Sequence, residues 1–148
     1  CIYGKRQFGV EDQGWVAWFT IASALEKPIT IYGDGKQVRD VLEVSDLIEA
    51  FEMARKNIQV TAGQVYNIGG GSRFCMSLLE LIAYLEKFLG KKIPYQFNDW
   101  RPGDQKVYVS DIAKAKKDFG WEPNIAPQEG VNALYAWVQN NKNLFSHL

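Results

Sequence analysis

Two arginines of this chain have the surroundings expected of an anion clamp: Arg39 in Val38-Arg39-Asp40-Val41-Leu42, and Arg101 in Arg101-Pro102-Gly103-Asp104-Gln105. A guanidinium takes two phosphate oxygens at once in a planar fork, which a lysine ammonium cannot do. Arg39 stands between valines of an expected strand, where an unpaired charge is expensive to bury. Its partner is either a bound phosphate or a structural carboxylate, Asp40 or Asp46. Pro102 stiffens the turn after Arg101, Gly103 permits close approach, and Asp104 offers an acceptor to a hydroxyl. The same string also suits a plain solvated turn.

Other residues carry chemistry in weaker patterns. Tyr32 and Lys36 read Tyr-x-x-x-Lys, a spacing that stacks a phenol on an ammonium when it lies in a helix. Gly33-Asp34-Gly35 between them argues against a helix, so Tyr32 is better placed as a π face beside a nucleobase. Gly69-Gly70-Gly71-Ser72 follows an expected strand as phosphate loops do, yet Phe74 stands where a third fingerprint glycine belongs, and a flexible connection is the expectation. Trp15, Trp18 and Phe19 at helical spacing suit a core first and a ligand wall second. Asp12 and Gln13, just ahead of them, have side chains able to read polar edges of a base or sugar.

The elements that must position these groups alternate between short strands and helices. Cys1-Ile2-Tyr3-Gly4 looks like the end of a strand, and apolar residues from Gln13 to Leu25 repeat at helical period before Pro28. Ile29–Tyr32, Val41–Val44, Gln64–Ile68 and Pro94–Phe97 read as strands, and Val107–Val109 as extended. Ser45 or Asp46 is the expected cap of a helix Leu47–Lys56 that buries Leu47, Ala50, Phe51 and Ala54. Ser77 with Glu80 forms a capping box for Leu78–Leu89, which Gly90 closes. Ser110 or Asp111 caps a helix ended by Gly120, and a last helix runs over Gln128–Gln139 with Val131, Leu134, Tyr135 and Val138 on one stripe. The mixture suits an α+β piece completing an α/β domain.

Seventeen basic residues balance 17 acidic ones, so no long-range field draws nucleic acid or an anionic membrane. Cys1, Cys75 and His147 do not make a metal site, and two cysteines without a disulfide pattern fit a reduced, cytoplasmic setting. No apolar run is long enough to span a bilayer.

In order along the chain, Ile29-Thr30-Ile31-Tyr32-Gly33-Asp34-Gly35-Lys36-Gln37-Val38-Arg39-Asp40, Val44 with Asp46, Tyr66-Asn67-Ile68-Gly69-Gly70, Arg101-Pro102-Gly103-Asp104-Gln105 and Ser110-Asp111-Ile112 resemble the C-terminal half of extended short-chain dehydrogenase/reductases acting on nucleoside-diphosphate sugars. The opening residues, Cys1 to Phe8 and Asp12 to Phe19, are similar to the CDP-tyvelose (CDP-paratose 2-) epimerases. The resemblance implies that Arg39 and Arg101 hold the diphosphate, that Tyr32 lies at the base and Asp104 near the ribose, and that Asp12, Gln13 and Trp15 lie along the substrate pocket. It implies a Rossmann fold whose NAD-binding part, with the catalytic Ser/Thr, Tyr and Lys, lies upstream of Cys1. It implies a CDP-sugar as the favoured ligand, with oxidation at C2, presentation of the other face and return of hydride. Ser72-Arg73-Phe74-Cys75 departs from the asparagine that usually follows the Gly-Gly pair. Expected of this chain alone are no turnover, and self-association through surfaces that a cofactor domain would cover.

Overall fold

The computed structural model describes residues 1–146, and His147, read above as no part of a metal site, lies outside them. The described residues form an α/β arrangement of three small sheets with helices packed around them. β1 (Ile2–Tyr3) runs parallel to β4 (Leu42–Glu43), and β2 (Ile29–Tyr32) runs parallel to β6 (Tyr95–Asn98). In the third sheet β3 (Val38–Asp40) is central, antiparallel to β5 (Cys75–Ser77) and parallel to β7 (Val107–Tyr108).

The main core fills the space between α1 (Trp15–Ala24), α4 (Leu78–Leu89), α6 (Pro127–Asn140) and the inner face of β2. Strand alternation points Ile29 and Ile31 inward, where both are fully buried, and leaves Thr30 and Tyr32 on the opposite face. Helix α1 is buried on more sides than its aromatic stripe suggests, because α4 and α6 both pack on it. Its polar residues are satisfied locally: Thr20 donates to the Val16 carbonyl and Ser23 to that of Phe19. A second core around Leu42, Ala50, Phe119 and Trp121 joins α2 (Val44–Lys56) to α5 (Ala113–Phe119).

The α4 start is as the sequence indicates. Ser77 Oγ accepts from the Glu80 amide at 3.2 Å, and Glu80 Oε2 accepts from the Ser77 amide at 2.7 Å. The Ser77 amide and hydroxyl hold the Glu80 carboxyl below its ordinary range. A depressed carboxylate stabilises the fold above its unfolded pKa, and the benefit is lost as pH falls through the folded value. Ser77→Ala is therefore expected to cost about 1 kcal/mol near neutrality. The gap from the parent should narrow on acidification, which paired thermal melts at neutral and acid pH would show.

Other expectations need correction. Residues 64–68 form no strand: they pair with no strand among the described residues, and Val65 is 82% exposed. Of the strand expected over Val41–Val44 only Leu42 and Glu43 are strand, as β4; Val41 follows the end of β3, and α2 starts at Val44. Its cap is Glu43, whose carboxylate accepts from the Ser45 amide at 2.6 Å. Asp46 is instead buried, taking the Asn124 and Ile125 amides on Oδ2. Phe51 faces outward, so the apolar side of α2 is wider than the core it meets. At α5 neither Ser110 nor Asp111 occupies the cap position, although Asp111 does accept from the Ala113 amide.

Candidate functional site

Parallel pairing explains how residues far apart in sequence meet. Tyr32 at the end of β2 is registered with Asn98 of β6, and Val38 at the start of β3 with Val107 of β7. The connections 33–37 and 99–106 therefore lie side by side, the second carrying Arg101 and Asp104 over the first. Gly33, at φ 87°, seats the Trp100 indole directly against its Cα; an added Cβ would lie 2.7 Å from that ring. Arg101 thus leaves a buttressed turn.

Its guanidinium lies over the Tyr32 ring, 3.7 Å from the centroid, a close cation–π arrangement. The same group donates to the Glu11 carbonyl at 3.1 Å and pairs with Asp12 at 2.9 Å. The Tyr32 hydroxyl donates to Glu11 at 2.9 Å. Arg39 meets Asp104 at 2.7 Å and also donates to the Val38 carbonyl. Neither Asp40 nor Asp46 pairs with it: the carboxylate partner comes from the Arg101 turn, 65 residues away. Each arginine is paired with an acid in a partly solvated setting, where such pairs contribute little to stability.

These groups surround one cleft of about 160 Å³. Arg39, Arg101, Asp104, Tyr32, Asp12, Gln13 and Trp15 all line it, together with Glu11, Thr30 and Gln37. Sequence reasoning missed Glu11 and Gln37. Gln37 lies in the connection just before β3, where no periodicity marks it out.

Two other patterns resolve without chemistry. Tyr32 ends a strand and Lys36 sits in the following turn, so the pair has no helical geometry. The Gly69-Gly70-Gly71 segment is tightly packed: a Cβ on Gly70 would collide with the Val41 carbonyl, and one on Gly69 with Asp40 and Ser110. The anion at this loop is Asp40, fully buried, whose Oδ2 accepts the Gly71 amide at 3.1 Å and the Ser110 amide at 3.2 Å. No cluster of three or more metal-ligating side chains occurs among the described residues, and no described helix is long and apolar enough to cross a membrane.

A family model described as GDP-mannose 4,6 dehydratase matches residues 15–134. The chain belongs to this family of nucleotide-sugar epimerases and dehydratases. It is 39% identical over 144 residues to CDP-paratose 2-epimerase of Salmonella typhi, covering 94% of this chain and 43% of that protein. It is also 39% identical over 111 residues to UDP-glucose 4-epimerase of Bacillus subtilis, covering 74% of this chain and 32% of the relative. In structure it resembles UDP-glucuronic acid 4-epimerase from Bacillus cereus, solved with UDP-glucuronic acid and NAD. That match has a TM-score of 0.82 at 32% identity, over 94% of this chain and 43% of the other. The chain thus spans less than half the length of these relatives. The family and its parallel α/β pairing agree with the resemblance drawn from the ordered motifs.

Proposed function

We propose that this chain is the substrate-holding part of an NAD-dependent nucleotide-sugar epimerase of the CDP-paratose 2-epimerase kind. The observation that carries the reading is the convergence of Arg39 and Arg101 on one cleft with Tyr32 and Asp104. Two guanidiniums, one from β3 and one from the 99–106 connection, suit a diphosphate, with one phosphoryl group on each. Its oxygens replace the carboxylates of Asp104 and Asp12, and movement of Arg101 onto phosphate frees the Tyr32 face for a base. Asp104, released from Arg39, is then an acceptor for ribose hydroxyls, while Asp12, Gln13 and Trp15 lie along the remainder of the ligand. The similarity to CDP-paratose 2-epimerase favours a CDP-sugar.

In this reading NAD supplies the oxidation and reduction at the sugar. Its site, like the catalytic Tyr-x-x-x-Lys, is assigned outside these 148 residues, so the chain alone does not turn over. A heteronuclear NMR titration with CDP tests the site assignment. Shifts concentrated at Tyr32, Arg39 and the 99–106 connection support it; shifts confined to other surfaces, or none, oppose it.

The second part of the proposal is self-association. Ile48 and Phe51 on α2, Ile58 and Val60 in the short helix α3 (Ile58–Thr61), and Val65 are each more than half exposed. Exposed apolar side chains on these neighbouring elements suit a surface that associates with another chain. Sedimentation velocity should show a concentration-dependent oligomer that Phe51→Glu shifts toward monomer. A parent chain sedimenting as a monomer at every concentration would count against it.

A further inference from the structure

We propose that the turn Val10–Gln13 is a gate over the cleft, latched shut by Arg101 and Tyr32, which a phosphate ligand opens by taking Arg101 from it. The inference rests on the cleft being a nucleotide-sugar site. In this structure the cleft holds about 160 Å³. Sites that enclose a small organic ligand run to about 300–1,000 Å³, so a wall has to move before a nucleotide sugar fits.

Most of the lining is fixed from behind. Phe19 of α1 and Leu78 of α4 belong to the main core. Thr30 and Tyr32 stand on β2, whose opposite face carries the fully buried Ile29 and Ile31. Arg39 stands on the central strand of a three-stranded sheet. The turn differs: Val10, Glu11, Asp12 and Gln13 are all exposed. Val10 and Gln13 exchange both backbone hydrogen bonds at 3.0 Å, which closes the turn into a unit that moves as one body. Gly9 and Gly14 flank it, and Gly14, at φ 76°, is the joint to α1. On the other side Phe8 is anchored against the rings of Trp137 and Phe145, so motion ends there.

Three side-chain contacts hold the turn across the mouth of the cleft. Arg101 Nη2 donates to the Glu11 carbonyl at 3.1 Å and pairs with Asp12 at 2.9 Å. The Tyr32 hydroxyl donates to the Glu11 carboxylate at 2.9 Å. All three lie at the surface, where Asp12 is 88% and Arg101 33% exposed, and contacts of this kind are individually weak. Two of them use the same guanidinium nitrogen, on which a phosphoryl oxygen would sit. Ligand and turn therefore compete for Arg101. The apparent affinity of the ligand is lowered by the fraction of molecules in which the turn is open. A neutral sugar brings no charge to that competition, whereas a diphosphate does, so the latch yields to the charged end of the ligand.

The test is calorimetric titration of the full chain with inorganic pyrophosphate, beside Asp12→Asn, Tyr32→Phe, the double variant and Asp99→Asn. Pyrophosphate has neither base nor sugar, so it reports on the arginines and the latch alone. Asp12→Asn and Tyr32→Phe should each bind it more tightly than the parent by about two- to fivefold, the range of an exposed contact, and the double variant more tightly than either. Tyr32→Phe alters no charge, so its gain cannot come from a less negative cleft, and it keeps the test open if Asp12→Asn fails to fold. Asp99→Asn removes a charge two residues from Arg101 but outside the contacts that hold the turn, and should bind as the parent does. Unchanged or weaker binding in both latch variants overturns the gate. So does a gain in Asp12→Asn that Asp99→Asn matches and Tyr32→Phe lacks, which would be a general effect of charge. If neither the parent nor any variant binds pyrophosphate or CDP, the nucleotide-sugar reading falls and the gate with it.

Discussion

Arg39→Ala is expected to weaken CDP binding by roughly ten- to a hundredfold while leaving the fold intact. Hydrogen bonds to charged groups contribute about 1.5–3 kcal/mol each, and every 1.4 kcal/mol is about tenfold in affinity. The fold should tolerate the change because the Arg39–Asp104 pair is partly solvated and adds little to stability. Arg39→Lys should recover only part of the affinity, since an ammonium cannot take two oxygens in the planar fork. Titration calorimetry beside thermal melts separates the two effects. An affinity unchanged in folded Arg39→Ala would show that the clamp assignment is wrong.

Asp40→Ala, one residue away, is expected to do the reverse and act through stability. Asp40 is fully buried, and its Oδ2 satisfies the backbone amides of both Gly71 and Ser110. Removing it strands those two donors at about 1–3 kcal/mol each. A total near 3 kcal/mol corresponds to a melting temperature lower by roughly 10 °C in a domain of this size. The packing around Gly69 and Gly70 leaves no room for a compensating side chain. A variant melting within about 2 °C of the parent would contradict this account of the glycine segment. Adjacent residues of one motif thus differ in placement, Arg39 lining the cleft and Asp40 holding the loops that frame it.

How far the sequence revealed this varied with the locality of the signal. The capping box at Ser77 and the strand Ile29–Tyr32 depend on neighbouring residues, and both stand where composition and spacing place them. The cleft was legible in its members, because Arg39, Arg101, Asp104, Tyr32, Asp12, Gln13 and Trp15 all line it. Their pairing was not legible. Asp104 reaches Arg39 only because two parallel strand pairs bring the 33–37 and 99–106 connections together, and register across 65 residues leaves no local trace. Residues 64–68 misled for a related reason: β-branched and aromatic side chains favour a strand, but a strand requires a neighbour to bond with. The apolar face of α2 failed likewise, since periodicity identifies a stripe without identifying what covers it.

The most direct measurement of the central claim is isothermal titration of the purified, demonstrably folded chain with CDP, alongside UDP and dTDP. Saturable binding is expected, with CDP preferred. Absence of heat with all three nucleotides would contradict a preformed diphosphate site built from Arg39 and Arg101.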